Sequence, residues 1–183
     1  MTSPALETYN MVPLSSFLDA YGVSTSQTLL DKFVPLIDAP ASDYLKKHAI
    51  SMEKRDLSRT YIALTPQNRN ILGFVAIGMK CIRIPQENLL SRSILRQCNI
   101  EESTGMAQSY LLGQLARSSG SPRGFGDVLV DYAIGKLTDA KSIVGCKMIR
   151  LDCTNELVDY YATRGFRLIS KDAGGLNRMM RFI

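Results

Sequence analysis

Late in the chain, SGSPRGFGD interrupts two regular stretches, and its residue types suit an anion. A strand-like run, AQSYLLGQLARS, leads into it, and a helical run, DVLVDYAIGKLTDAKSIVG, leaves it directly. The first amides of such a helix lack intrahelical acceptors, and the aligned peptide dipoles add about half a positive charge there. Within Ser121, Pro122, Arg123, Gly124, Phe125 and Gly126, the glycines let the backbone approach a ligand and the arginine adds a full cation. Strand, glycine loop and helix together form a recipe for holding phosphate. The pattern is neither a P-loop, which needs G-K-[ST], nor a dinucleotide fingerprint, which needs a third glycine. An ordinary strand-to-helix turn is the other reading of these residues.

Other chemistry is scarce. His48 is the only histidine, and no G-x-S-x-G elbow accompanies it, so hydrolase triads are poor fits. Cys81, Cys98, Cys146 and Cys153 show no CxxC spacing, which argues against a zinc site and for free thiols in a reducing compartment. Between Tyr44 and Arg59 the chain carries Lys46, Lys47, Lys54, Arg55 and Arg59 against Glu53 and Asp56, a local excess of three positive charges. Such a run contacts phosphate or forms a solvated helix face. For Arg59 a structural ion pair at a strand entry is a further alternative.

These groups must be positioned by the elements around them. The first thirty residues, with Pro4, Pro13, Gly22 and VSTSQT, read as an extended leader of short strand and turn pieces. DYLKKHAISM places Tyr44, Leu45, His48 and Met52 on one helical face, with Ser42 as the N-cap. RTYIAL and ILGFVAIGMKCIRI read as a hairpin about TPQNRN, the second run being a central strand. PQENLLSRSILRQCN, with Leu89, Leu90, Ile94 and Leu95, reads as an inserted helix. The helix after the glycine loop ends near Gly145, KMIRLDC is a strand, NELVDYYATRG a helix, and FRLIS and NRMMRFI final strands. That order implies α/β packing with right-handed crossovers.

Length and composition set the outer bounds. A chain of 183 residues with 45% apolar and 21% charged residues predicts one domain over 1–183, with 1–28 as the leader. A net charge of +5 fits an anionic partner or plain solubility. No apolar run approaches the roughly 18 to 20 residues of a membrane span. The start MTSPALETYN lacks a secretory signal, so a cytoplasmic protein is expected.

Two segments together resemble the GNAT superfamily of acyl-CoA-dependent N-acetyltransferases. QLARSSGSPRGFGDVLVDYA is similar to the acetyl-CoA segment Q/R-x-x-G-x-G/A, and LDCTNELVDYYATRGF to N-x-x-A-x-x-F/Y-Y-x-x-x-G-F. The likeness runs from about Leu29 to the C-terminus; Ser121 departs from it, standing where the signature has Gln or Arg. It implies an α+β fold: a central twisted, mostly antiparallel sheet with a splayed parallel strand pair and flanking helices. By position it implies that Leu115, Ala116 and Arg117 pair with the pantetheine arm and that Arg123, Gly124, Phe125 and Gly126 offer amides to the diphosphate. It further implies that Asn155 contacts the cofactor. Tyr161 would be the general acid that protonates the departing thiolate. Acetyl-CoA is then the co-substrate, with no metal. Core filling between Leu157 and Phe166 is the alternative for Tyr160 or Tyr161.

The segment LDKFVPLIDAPASDYLKKHAISMEKRDLSRTYIALTPQNRNILGFVAIGMKCIRIP is similar to the front half of GNAT toxins that acetylate the amino acid carried on tRNA. This narrower resemblance implies an aminoacyl-tRNA acceptor, an antitoxin partner, and an acceptor-stem patch of Lys46, Lys47, Lys54, Arg55 and Arg59. The chain offers no obvious general base. An α-amine, near 7.7, needs one less than a lysine near 10.4. The alternatives are a small-molecule amine, a protein N-terminus, or a catalytically weak acyl-CoA-binding protein. GNAT proteins often dimerise, and NRMMRFI reads as a natural edge strand for a second copy.

Overall fold

A computed structural model describes residues 8–37, 40–67, 69–88, 90–171 and 174–183. Its strands are β1 (Asn10–Pro13), β2 (Ser58–Leu64), β3 (Ile71–Met79), β4 (Ile82–Arg83), β5 (Met106–Ala107), β6 (Tyr110–Arg117), β7 (Met148–Cys153), β8 (Arg167–Lys171) and β9 (Asn177–Phe182). Helices are α1 (Leu14–Asp31), α2 (Pro40–Asp43), α3 (Ala49–Lys54), α4 (Arg92–Gln97), α5 (Phe125–Val144) and α6 (Val158–Ala162). One seven-stranded sheet has the order β1-β2-β3-β6-β7-β9-β8, and β4 with β5 forms a separate ribbon. β1/β2, β7/β9 and β8/β9 are antiparallel. β6 and β7 are parallel, registered only at Tyr110↔Ile149 and Leu111↔Arg150, so the pair splays as expected. Among the described residues no helix is long and apolar enough to cross a membrane.

The chain divides into two compact units whose boundaries fall inside β3, β6 and α5. The first comprises Met1–Ile77 and Gln114–Ala133, the second Gly78–Gly113 and Ile134–Ile183. In the first, β2 and β3 bury both faces. Ile62, Leu64, Ile71 and Phe74 pack with Leu14, Phe17, Leu30 and Leu45, while Ala63 and Leu72 pack with Phe125 and Leu129 of α5. Along β3, Leu72 joins the Phe125 cluster, whereas Ile71 and Phe74 join that of Phe17 and Leu45. A Cβ on Gly73 would lie 2.9 Å from the Ala116 carbonyl oxygen and 3.3 Å from the Arg117 Cα, so this glycine permits a close approach to β6.

Three expectations for this unit need correction. The leader is not extended: after β1, residues 14–31 form α1, kinked where Gly22 adopts φ +74, and residues 1–7 lie outside the described ones. Burial of Leu14, Phe17, Ser26 and Leu30 stabilises a helix that its Ser and Thr content conceals. Ser42 is not an N-cap, because the helix begins at Pro40 and Ser42 is buried in it. A π-type turn over Tyr44–His48 then rotates the helix, burying Ala49 and Glu53 and leaving His48 exposed.

In the second unit, Ile82, Ile84, Ile94, Cys98, Met148, Ile169 and Met180 form the core. The expected long strand through KCIRI ends at Met79, its tail Ile82–Arg83 leaving the main sheet to pair with β5. The inserted helix is short, starting at Arg92 after Ser91, whose hydroxyl accepts from the Ile94 amide; Leu89 lies outside the described residues. β9 is not an edge: it lies between β7 and β8 and pairs with both, so its backbone is unavailable to a second copy. Arg150, 3% exposed, donates to the Cys81 carbonyl at 3.1 Å and to Asp152 at 2.5 Å, which pairs this buried cation.

Candidate functional site

The first unit builds the anion loop. β6 ends at Arg117, whose carbonyl accepts from the Leu36 amide at 3.0 Å. Leu115 leans on the cluster of Phe125 and Leu129, Ala116 on that of Leu45 and Phe74, so the two core clusters fix this strand from its two faces. The Ser118 amide donates to the Leu72 carbonyl at 2.8 Å and the Ser119 amide to the Val34 carbonyl at 3.0 Å. Ser121, the departure from the signature, closes the turn: its amide and its hydroxyl both donate to the Ser118 carbonyl, at 3.2 and 2.8 Å. A Gln or Arg side chain here carries no hydroxyl to make the second of these bonds.

Beyond Ser121 the backbone turns outward. Gly124 has φ +83 with open space where a Cβ would stand. Phe125 is fully buried and meets Tyr9 edge-on at 5.1 Å, anchoring the start of α5. Its amide donates to the Pro122 carbonyl, and the Asp127 amide to that of Gly124. The amides of Arg123, Gly124 and Gly126 make no backbone hydrogen bond among the described residues. Arg123 and Gly124 are exposed. This end of a 20-residue helix therefore presents unfilled donors beside a cation. Asp127 adds an acid in the same turn.

The basic run lies in the same unit. Lys46, Lys47 and Lys54 fall on the helical stretch 40–54, Arg55 follows it as its C-cap, and Arg59 lies on β2. Lys47 pairs with Asp43 at 3.0 Å. Arg59 is engaged by Asp56 at 2.5 Å and Glu53 at 3.4 Å, the structural ion pair at a strand entry. Glu53 is buried, accepts from the Thr60 amide at 2.8 Å, and has its carboxyl pushed up by burial against the pull of that amide and Arg59. Lys46, Lys54 and Arg55 have no ion pair among the described residues.

The second unit carries the aromatic segment. A 3-10 turn over Asn155–Leu157 leads into α6, which stops where Gly165 takes φ +79 and the Phe166 amide donates back to the Tyr161 carbonyl at 3.1 Å. Tyr161 is 8% exposed, its ring edge-on to Phe166 at 5.6 Å and to Tyr160 at 5.1 Å. Its phenol, pushed up to about 12 by burial and then by Cys153, against the pull of Arg164, stays protonated at neutral pH. The hydroxyl has no hydrogen-bond partner among the described residues. Leu157, by contrast, is 43% exposed and does not frame the tyrosine. Asn155 accepts on Oδ1 from the Asn177 side-chain amide at 2.9 Å and from Lys171 at 3.3 Å, which leaves its own amide group outward. Asn177 and Lys171 had no signal in the sequence as supports of this residue.

No family model and no curated protein matches the chain. Solved structures do. AtaT complexed with acetyl-methionyl-tRNAfMet matches with a TM-score of 0.72 and 18% identity over 93% of this chain and 94% of that one. The chain has the GNAT fold. A tyrosine-to-phenylalanine variant of KacT has this fold too, with TM-score 0.70 and 18% identity over 93% and 92% of the two chains. The corresponding type of AtaT variant, bound to the C-terminus of the antitoxin AtaR and acetyl-CoA, matches with TM-score 0.64 and 18% identity over 84% of each chain. In this GNAT fold the splayed β6/β7 pair and the glycine loop opening α5 are the parts that the sequence motifs imply.

Proposed function

We propose that the protein is an acetyl-CoA-dependent N-acetyltransferase whose acceptor is the α-amine of an aminoacyl-tRNA. The observation that carries the transferase reading is Gly124 at φ +83, opening a 20-residue helix with unfilled donors in a GNAT fold. Arg123, Gly124, Phe125 and Gly126 receive the diphosphate, Leu115, Ala116 and Arg117 the pantetheine arm, and Asn155 a further polar group of the cofactor. The amine nitrogen attacks the thioester carbonyl, and the C–N bond forms as the carbonyl oxygen takes negative charge, stabilised by backbone N–H groups. The C–S bond then breaks. The Tyr161 phenol gives its proton to sulfur, and the proton lost by the new ammonium restores it through water.

The acceptor rests on narrower ground: the front-half resemblance and the AtaT neighbour solved with acetyl-methionyl-tRNAfMet. An antitoxin is the expected partner, AtaT having been solved bound to the C-terminus of the antitoxin AtaR. The test is transfer of labelled acetyl from acetyl-CoA to aminoacyl-tRNA, set beside free amines and peptide N-termini, in the native protein and Tyr161→Phe. Loss of the hydroxyl is expected to lower turnover by about 10²–10⁴ with acetyl-CoA affinity kept. Equal turnover in the variant removes the acid role. Labelling only of a small amine or a peptide moves the acceptor there, and no transfer with tight acetyl-CoA binding leaves a catalytically weak acyl-CoA-binding protein.

A further inference from the structure

The first unit holds a cleft of about 1020 Å³ between α1, the β2–β3 turn and the exit of β6. Its charged lining residues are Lys32 and Arg69, both cations, and no acid lines it among the described residues. Lys32 follows α1, and Arg69 sits on the turn before β3. Both are exposed and neither has an acidic partner within ion-pair distance among the described residues, whereas Lys47 and Arg59 of the basic run are spent on acids.

Arg69 is held in place rather than left waving. The Thr65 amide donates to the Asn70 carbonyl at 3.0 Å, the Arg69 amide to the Thr65 carbonyl at 3.1 Å, and the Asn70 amide to the Thr65 hydroxyl at 3.0 Å. This turn forces Arg69 to φ +51, a conformation non-glycine residues adopt at a cost and that gathers at ligand clamps. The guanidinium lies 4.9 Å from the centre of the Tyr21 ring, which orients it further. The hydroxyl of Thr65 accepts and so keeps its proton to donate. Ser24, Thr25 and Ser119 add hydroxyls with no side-chain hydrogen bond among the described residues. Two cations, one of them held by its turn, with donor hydroxyls and no acid match a phosphate.

We propose that this cleft grips a backbone phosphate of the acceptor tRNA between Lys32 and Arg69, an assignment that rests on the aminoacyl-tRNA reading above. The coenzyme's own 3′-phosphate shares the same chemistry and is separated from the RNA by experiment. Fluorescein-labelled deacylated tRNA, acetyl-CoA and 3′-dephospho-acetyl-CoA are titrated into the native full chain and into Lys32→Gln, Arg69→Gln and the double variant, across a salt series. The double variant is expected to bind tRNA roughly tenfold more weakly, with the log–log salt slope shallower by about 0.7 to 0.9 for one lost phosphate, and to keep its acetyl-CoA affinity. Native-like tRNA affinity and slope in the double variant overturn the proposal. So does a loss confined to acetyl-CoA and absent from its dephospho form, or a native protein that binds no tRNA. A native protein that binds tRNA through these two cations yet acetylates no aminoacyl-tRNA keeps the cleft and removes the acceptor reading instead.

Discussion

Gly73→Ala tests whether the close approach of β6 to this glycine sets the position of the strand proposed to receive the pantetheine arm. The new methyl would meet the Leu129 Cδ1 at 2.8 Å, the Ala116 carbonyl oxygen at 2.9 Å and the Arg117 Cα at 3.3 Å. The leucine tip can rotate away, but the other two atoms are backbone. Ordinary contact begins at 3.4 Å, so Ala116 must retreat by about half an ångström. Overpacking of this kind costs about 1–3 kcal/mol. For a chain of this length each kcal/mol is worth about 2–4 °C, so Tm should fall by about 2 to 12 °C. Because the displaced atoms belong to Ala116 and Arg117, acetyl-CoA affinity should fall with it. Gly135→Ala in α5 is the control: it is exposed, has open space for a Cβ, and should gain about 0.5–1 kcal/mol from helix propensity. Thermal melts and acetyl-CoA titration of both variants decide. A Gly73→Ala protein that melts and binds like the native one would refute the close-approach argument.

Two titrations follow from burial. Tyr161 has its folded pKa raised to about 12 from an unfolded value near 10, so its contribution is present below pH 10 and lost as pH rises from 10 toward 12. That loss is on the order of 2–3 kcal/mol; urea unfolding at pH 9 and 11 should show a smaller alkaline decline in Tyr161→Phe than in the native protein. Glu53, also raised, favours the folded state below its unfolded pKa and loses that advantage as pH rises through the folded value. Glu53→Gln should therefore compare better with the native protein at pH 7 than at pH 4 in thermal melts. The reverse trend would mean that pairing with Arg59 outweighs desolvation.

The C-terminal half was legible because its signals are local. The glycine loop, the apolar period of α5 and Gly165 after α6 each announce an element within a few residues, and all are found in place. What failed depends on neighbours distant in sequence. α1 carries Gly22 and a Ser/Thr run and owes its helix to burial of Phe17 and Leu30. The π-type turn at Tyr44–His48 shifts the buried face by one residue, which no strict helical period contains. β9 reads as a strand from its own residues, but its place between β7 and β8 is a matter of chain order in the sheet. Ser121 read as a defect and is a turn-closing residue, since its partner is a backbone carbonyl that carries no sequence signal. Arg69 escaped notice for the same reason: a lone arginine in a turn acquires meaning only from the cleft it enters.

A phenol near 12 is by itself a poor donor to a departing thiolate. Against a thiol near 8.5 a complete transfer runs uphill by about 3.5 units, or about 5 kcal/mol. The proposed step is tolerable only when coupled to loss of the proton that the attacking amine must shed, so in that mechanism the tyrosine would relay a proton already in surplus. That coupling makes the acceptor's own basicity decisive. At pH 7.5 an α-amine near 7.7 is about 40% free base, a lysine near 10.4 about 0.1%. For a mechanism without a protein base, the difference is a factor of about 300 in attacking species. The rate at low acceptor concentration should therefore rise with pH through the acceptor amine's pKa and then hold level to about pH 10, because Tyr161 keeps its proton beyond that point. A descending limb near pH 8 or 9 that persists in Tyr161→Phe would assign the acid to another group and leave Tyr161 a packing residue between Tyr160 and Phe166.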